Sequence, residues 1–309
     1  MSIDSEEKEP SQEVGEHRKF WELAHQESGD APVGGYLTQD YPVALARARF
    51  SGEWSQVSGW LVTSKIEKKS CLDVGCGDGT WLNRFAESFE KVHGMDISQD
   101  AVDKIAARAK KNGQTHISVS CGSVLEYEPQ STTYDLIFVG GVLMYLEDEE
   151  LNLALEKLRS WLSPEGILIL RESVHREQTW YRDSPLSSGL FADRDAAPRP
   201  YQAIYRPPET LSSALRMTGL KILEMGVNRH YKFSDMTETQ LMGINRILGG
   251  RLRENRKLAE AWAEAIYRWR AFTLFPLYAF KRLLFRRPWK VENYWYLCQS
   301  AEQTGEKQP

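Results

Sequence analysis

The stretch Cys71-Leu72-Asp73-Val74-Gly75-Cys76-Gly77-Asp78-Gly79-Thr80-Trp81-Leu82 decides the fold of this chain. Leu72, Val74 and their neighbours form a short apolar run bounded by a turn signal, which predicts a buried β-strand. Gly75, Gly77 and Gly79 follow at alternate positions, and a helix is predicted to start near Thr80 and run through Phe85. A strand, a glycine turn and a helix N-terminus in this order bring bare backbone against a ligand. Glycine lets the chain bend sharply and leaves no side chain between backbone and ligand. The free N–H groups at a helix start favour an anionic or electron-rich ligand group.

Working outward, Val92 to Ile97 predicts a second strand ending in an acid, Asp96. An acid at a strand end about twenty residues past such a turn is placed to accept hydrogen bonds from ribose hydroxyls. Ser98 is an N-cap for a helix over Gln99 to Lys111, which Gly113 stops. Ile117 to Cys121 alternates and predicts a third strand; Tyr134 to Val139, Gly166 to Leu170 and Leu220 to Val227 predict the fourth, fifth and sixth. Glu147 to Leu162 is an amphipathic helix with its acids at the N-terminus. Asn293 to Cys298, the best candidate for a seventh strand, lies far downstream.

As a set these motifs, over residues 70 to 227, resemble the class I S-adenosylmethionine (SAM) dependent methyltransferases, in which an acid followed by G-x-G-x-G wraps the amino-acid end of SAM. The spacing differs from the dinucleotide fingerprint, whose third glycine comes one residue later. The resemblance implies an α/β fold: a doubly wound, seven-stranded, mostly parallel, Rossmann-like sheet with N-terminal helices and a helical insertion before the last strand. It implies SAM as cofactor and no metal. Asp73, Gly75, Cys76, Gly77 and Gly79 would hold or shape the methionine end. Asp96 would hold the ribose, with Ile97 against the adenine. The family usually has an Asp after the next glycine; here Gly122 is followed by Ser123 and Val124, and Glu126 or a backbone group are alternatives for the adenine contact. Gly140, at the end of the fourth strand, would lie against SAM, and Tyr145 sits where the family often carries a functional side chain. Glu172 and His175 follow the predicted fifth strand, and ligands of open α/β sheets bind outside the carboxyl ends of strands. With Tyr145 they are the acceptor-side candidates, His being the usual base near neutral pH.

The remaining chain divides into expected regions. Residues 1–15 are polar and form a tail, residues 16–66 a helical cap broken near Gly52, residues 67–230 the core, residues 231–290 an insertion, residues 291–300 the last strand and residues 301–309 a second tail. Residues 178–200 read as a loop or lid. From residue 245 to residue 290 there are twelve Lys or Arg against three Glu, interleaved with aromatics, on a chain of net charge -4. Such a stretch predicts a peripheral contact with an anionic membrane or a dimer contact. The overall charge gives no expectation of nucleic-acid binding. Four widely spaced cysteines without a C-x-x-C pair argue against disulfides or zinc and suit a cytoplasmic location. The polar start does not read as a signal peptide, and no apolar run reaches membrane-spanning length.

The leading expectation is methylation of oxygen or nitrogen on a small-molecule or glycan-type acceptor. Trp21 with Gly34-Gly35-Tyr36 is locally similar to the methyltransferases of protein N-terminal α-amines, which gives a second expectation. A third is a catalytically silent SAM-binding partner protein.

Overall fold

The computed structural model describes residues 12–28, 41–129, 133–183, 190–191, 201–274 and 290–301. The expected Gly34-Gly35-Tyr36 loop, most of the lid, residues 275–289 and the C-terminal tail lie outside these residues. Nine strands are described: β1 (Ser70–Val74), β2 (Lys91–Asp96), β3 (Ile117–Cys121), β4 (Tyr134–Gly140), β5 (Leu162–His175), β6 (Trp180–Asp183), β7 (Gln202–Tyr205), β8 (Leu220–Val227) and β9 (Val291–Ser300). Seven of them form one sheet in the order β3-β2-β1-β4-β5-β9-β8. Pairing is parallel from β3 to β5, and β9 runs antiparallel to both β5 and β8. The order reverses between β1 and β4, and that reversal opens a crevice beyond their carboxyl ends.

Both faces of the sheet are covered, which is why its strands read as near-continuous apolar runs. One core gathers Leu72, Ile137, Leu168 and Tyr296 under the helix Asp148–Ser160. The other gathers Leu82, Phe85, Phe138 and Trp295 under a 21-residue helix, Val43–Thr63. Trp81 pins the start of the helix Thr80–Phe85 there, with ring centroids 4.9 Å from Phe50, 4.5 Å from Phe138 and 6.2 Å from Trp295. Each such aromatic pair contributes about 0.5–1.5 kcal/mol beyond buried area.

Several expectations change. The helix Val43–Thr63 runs unbroken through Gly52, whose missing side chain admits His230: a Cβ there would lie 2.1 Å from the imidazole Nδ1. The N-terminal helix, Gln12–Ser28, starts inside the expected tail. β5 continues past Leu170 to His175, because β9 pairs with it over residues 167–175 and satisfies its backbone. Within the expected lid, β6 pairs antiparallel with β7 in a two-stranded sheet. The helix Arg229–Ile247 begins just before the expected insertion, which also holds the helices Arg251–Glu254 and Arg256–Leu274. They share a third core with the helix Val43–Thr63 through Leu45, Phe233, Leu252 and Tyr267.

Candidate functional site

The glycine turn is fixed by the strand beside it. Gly75 and Cys76 donate their N–H groups to the Met95 carbonyl at 2.8 and 3.0 Å. Gly75 and Gly77 have φ of +71° and +52°, a region that strains any residue with a Cβ. Their missing side chains face different surroundings. A Cβ on Gly75 would meet Val142 Cγ2 at 2.3 Å, whereas one on Gly77 would meet only His25 Cε1, at 3.7 Å. Gly77 N–H donates to Asp96 Oδ2 at 2.8 Å, and Ser98 N–H donates to Asp96 Oδ1 at 3.0 Å. These bonds orient the carboxylate and leave each oxygen a lone pair for a ligand.

A cavity of about 240 Å3 lies over this turn at the β1/β4 crevice. Of the expected cofactor residues, Gly75, Cys76, Gly77, Asp96, Ile97, Ser123, Val124 and Gly140 line it. Asp73 and Gly79 do not. Asp73 is buried beneath the turn; burial, reinforced by the charges of Asp96 and Asp78, pushes its carboxyl up to about 8. Gly79 leaves room for Ile105 and Arg108. Glu126 is held by Arg18 at 3.1 Å and by the Ser123 N–H at 3.3 Å. Ser123 Oγ accepts from the Leu125 N–H at 3.2 Å, so both side chains serve the loop itself.

Tyr145 lines the cavity as well. Its hydroxyl is 3.1 Å from that of Tyr201, which is 3.4 Å from that of Tyr205. Burial holds the Tyr145 phenol well above its ordinary range, so it stays protonated at neutral pH. Glu172 and His175 are not in the cavity lining, which corrects their placement on the acceptor side. The reason is the length of β5: it carries His175 four residues beyond the cavity-facing Arg171, and since alternate residues of a strand face opposite sides, Glu172 points away. Glu172 Oε1 accepts the N–H groups of Val142 and Leu143 at 3.0 and 3.1 Å, fastening the segment after β4. Burial pushes its carboxyl up to about 7. His175 Nδ1 accepts from the N–H groups of Glu177 and Gln178 at 3.4 and 3.2 Å, closing the turn after the strand.

The other wall comes from helices in which the sequence marked no site residue. Ala46, Arg49, Phe50 and Glu53 sit at i, i+3, i+4 and i+7 on the helix Val43–Thr63 and face the cavity. The signal was present: two charges on the apolar face of a helix that is otherwise packed. Arg171 donates to Glu53 Oε2 at 3.0 Å, and Asn228 donates to Glu53 Oε1 at 2.7 Å. His17, Trp21 and His25 come from the helix Gln12–Ser28. That helix is latched over Asp96 by Glu22, which accepts from Ser98 Oγ at 2.7 Å and from the Asp100 N–H at 3.3 Å.

The residues present fit SAM. The cradle at Gly77 leaves only His25 within reach of a Cβ, Asp96 offers lone pairs for a ribose, and the rings of Trp21, Phe50, Trp81 and Tyr145 suit a sulfonium cation. Among the described residues no group of three or more His, Cys, Asp or Glu could hold a metal.

Comparison with known proteins returns methyltransferases. A methyltransferase-domain family pattern matches residues 71–166. The chain is 29% identical to the probable (S)-tetrahydroprotoberberine N-methyltransferase 2 of Papaver bracteatum, over 37% of this chain and 34% of that protein. It is 24% identical to N-terminal Xaa-Pro-Lys N-methyltransferase 1-A of Xenopus laevis, over 56% of this chain and 70% of that protein. The chain thus spans about a third of the poppy relative. Its fold is similar to the crystal structure of a putative sarcosine dimethylglycine methyltransferase from Galdieria sulphuraria, with a TM-score of 0.52 and 15% identity, over 81% of this chain and 86% of that one.

Proposed function

We propose that this chain, which belongs to the class I SAM-dependent methyltransferases, transfers a methyl group to a nitrogen or oxygen of a small-molecule acceptor in the cavity at the β1/β4 crevice. The observation that carries this reading is one cavity running from the Gly77–Asp96 cradle to Tyr145, Arg49 and Arg171. Groups suited to a cofactor and groups suited to an acceptor line the same cavity.

SAM supplies a methyl group on a sulfonium for in-line displacement. The protein binds, aligns and excludes water. Asp96, held by the N–H groups of Gly77 and Ser98, receives the ribose hydroxyls, while the bare Gly77 backbone lets the methionine end approach. The helices Gln12–Ser28 and Val43–Thr63 wall one side of the cavity. Tyr145, neutral and tied to Tyr201, orients the acceptor by hydrogen bonding and is not a phenolate base. An amine that arrives neutral needs no base. For a hydroxyl acceptor, the imidazoles in the cavity wall are those of His25 and of His17, whose ring lies 5.1 Å from that of Tyr145.

The named N-methyltransferase relatives favour a nitrogen acceptor. The frog relative matches over most of its length, so methylation of a protein N-terminal amine is the second reading. Transfer of labelled methyl from SAM into a lysate, separated into protein, lipid-and-glycan and small-molecule fractions, distinguishes them. Label in small molecules is expected; label on protein termini would select the second reading, and no transfer at all would refute both.

The same proposal includes a peripheral membrane contact through residues 245–290. It is supported by Trp262, Trp269 and Phe272, which are exposed on the helix Arg256–Leu274 of this basic stretch. Among the described residues no helix is long and apolar enough to cross a membrane. Sedimentation with anionic vesicles tests the contact, and a stable dimer without vesicle binding would replace it.

A further inference from the structure

We infer that Arg49 is a specificity-determining residue that grips an anionic group, a carboxylate or a phosphate, on the methyl acceptor; the inference rests on the methyltransferase reading above. A second, smaller cavity of about 70 Å3 lies between the helices Val43–Thr63 and Arg229–Ile247. Ala46 and Arg49 line both cavities, so Arg49 stands at their junction. Its side chain is only 17% exposed. It makes no hydrogen bond within the described residues. Glu53 Oε1 is 3.9 Å from its Nε, beyond hydrogen-bonding distance, and its guanidinium carbon lies 5.1 Å from the centre of the Tyr231 ring. Nε is buried without an acceptor.

Glu53 does not need Arg49. Its two oxygens already accept from Asn228 and from Arg171. Two guanidiniums therefore share one carboxylate, and one positive charge is left over at this end of the cavity. An Nε buried without an acceptor is costly, and the terminal nitrogens, which are not buried, stay open to a ligand. Its planar fork matches a carboxylate or phosphate in two-point contact, which an ammonium cannot reproduce. Asp235 and Glu238 line only the smaller cavity, so the anion sits on the main-cavity side of Arg49, away from their charge. Stacking on Tyr231 fixes the guanidinium plane in advance of binding.

The anion has two sources, the acceptor or the carboxylate of the cofactor itself, and the experiment separates them. Inorganic phosphate is titrated into the protein saturated with S-adenosylhomocysteine, and the tryptophan fluorescence is followed, since Trp21 and Trp81 line the cavity. Saturable binding is expected, weakened at least about tenfold by Arg49→Gln and less by Arg49→Lys. S-adenosylhomocysteine affinity should stay within about threefold. The folded state should persist, because Glu53 keeps both of its other partners, and a thermal melt verifies this. Phosphate binding unchanged in Arg49→Gln, or absent from the unmodified protein, would overturn the inference. So would a tenfold loss of S-adenosylhomocysteine affinity with that of 5′-methylthioadenosine, which lacks the carboxylate, unchanged; Arg49 would then hold the cofactor. If the unmodified protein binds no S-adenosylhomocysteine, the methyltransferase reading itself fails, and this inference with it.

Discussion

Alanine at Gly75 and at Gly77 should separate folding from binding within one turn. At Gly75, a φ of +71° costs alanine about 1–2 kcal/mol. Its Cβ would also stand 2.3 Å from Val142 Cγ2, and relieving such an overlap in a packed site costs about 1–3 kcal/mol. Gly75→Ala should therefore lose about 2–5 kcal/mol of stability. In Gly77→Ala the backbone cost is similar, but the nearest side-chain atom is 3.7 Å away, an ordinary contact. That variant should lose only about 1–2 kcal/mol of stability. Its new methyl group enters the cavity, however, and should weaken S-adenosylhomocysteine binding by at least about tenfold. Urea unfolding gives the first quantity and calorimetric titration the second. A double-mutant cycle isolates the overlap: adding Val142→Ala to Gly75→Ala should recover about 1–2 kcal/mol as coupling. Equal stability losses for the two alanine variants, or zero coupling between positions 75 and 142, would refute the reasoning.

Asp96→Ala should weaken S-adenosylhomocysteine at least about tenfold and also loosen the turn, since both carboxylate oxygens hold backbone N–H groups; affinity equal to the unmodified protein would show that the ribose is held elsewhere. Glu172→Gln should keep the fold, because an amide oxygen can still accept from Val142 and Leu143. It should also flatten the pH dependence of stability. The Glu172 carboxyl is raised from 4.5 to about 7, so the folded state binds the extra proton between those values. Stability is then greatest at the acid end of that window and falls as pH rises through it, by about 1.4 kcal/mol per unit. Urea midpoints of the two proteins across this range should converge at low pH; parallel profiles would contradict the assignment. Asp73, raised to about 8, adds a slope of the same sign up to that pH, which Asp73→Asn should remove.

Local pattern carried the sheet because each strand announces itself by its own apolar run. β3 and β8 have the expected ends, and Ser98 caps its helix by accepting the Ala101 N–H. The cofactor cradle was equally legible, since its chemistry lies within one turn and the end of the next strand. β5 was read too short because its last five residues are polar and mixed, and only pairing with β9, more than a hundred residues away in sequence, holds them extended. That pairing reversed the meaning of Glu172: an acid expected at a strand end in an open site is instead a buried clamp, because strand alternation carries it to the far side. Gly52 read as a break for a related reason, as no local feature announces that His230 packs against it.

The sequence by itself determined the strand–turn–helix order, the positions of Gly77 and Asp96 and therefore the class of cofactor. These depend on residues close in the chain, where backbone geometry and periodicity act directly. Only the tertiary structure decided which side chains form the far wall of the cavity. Arg49 and Glu53 on one helix, Arg171 on β5 and Asn228, which holds Glu53 from the cap of a second helix, are far apart in sequence and become neighbours only when the helices pack over the sheet edge. Burial then fixes their chemistry, since removing water turns an ordinary surface charge pair into a satisfied carboxylate beside an arginine whose donors face the cavity.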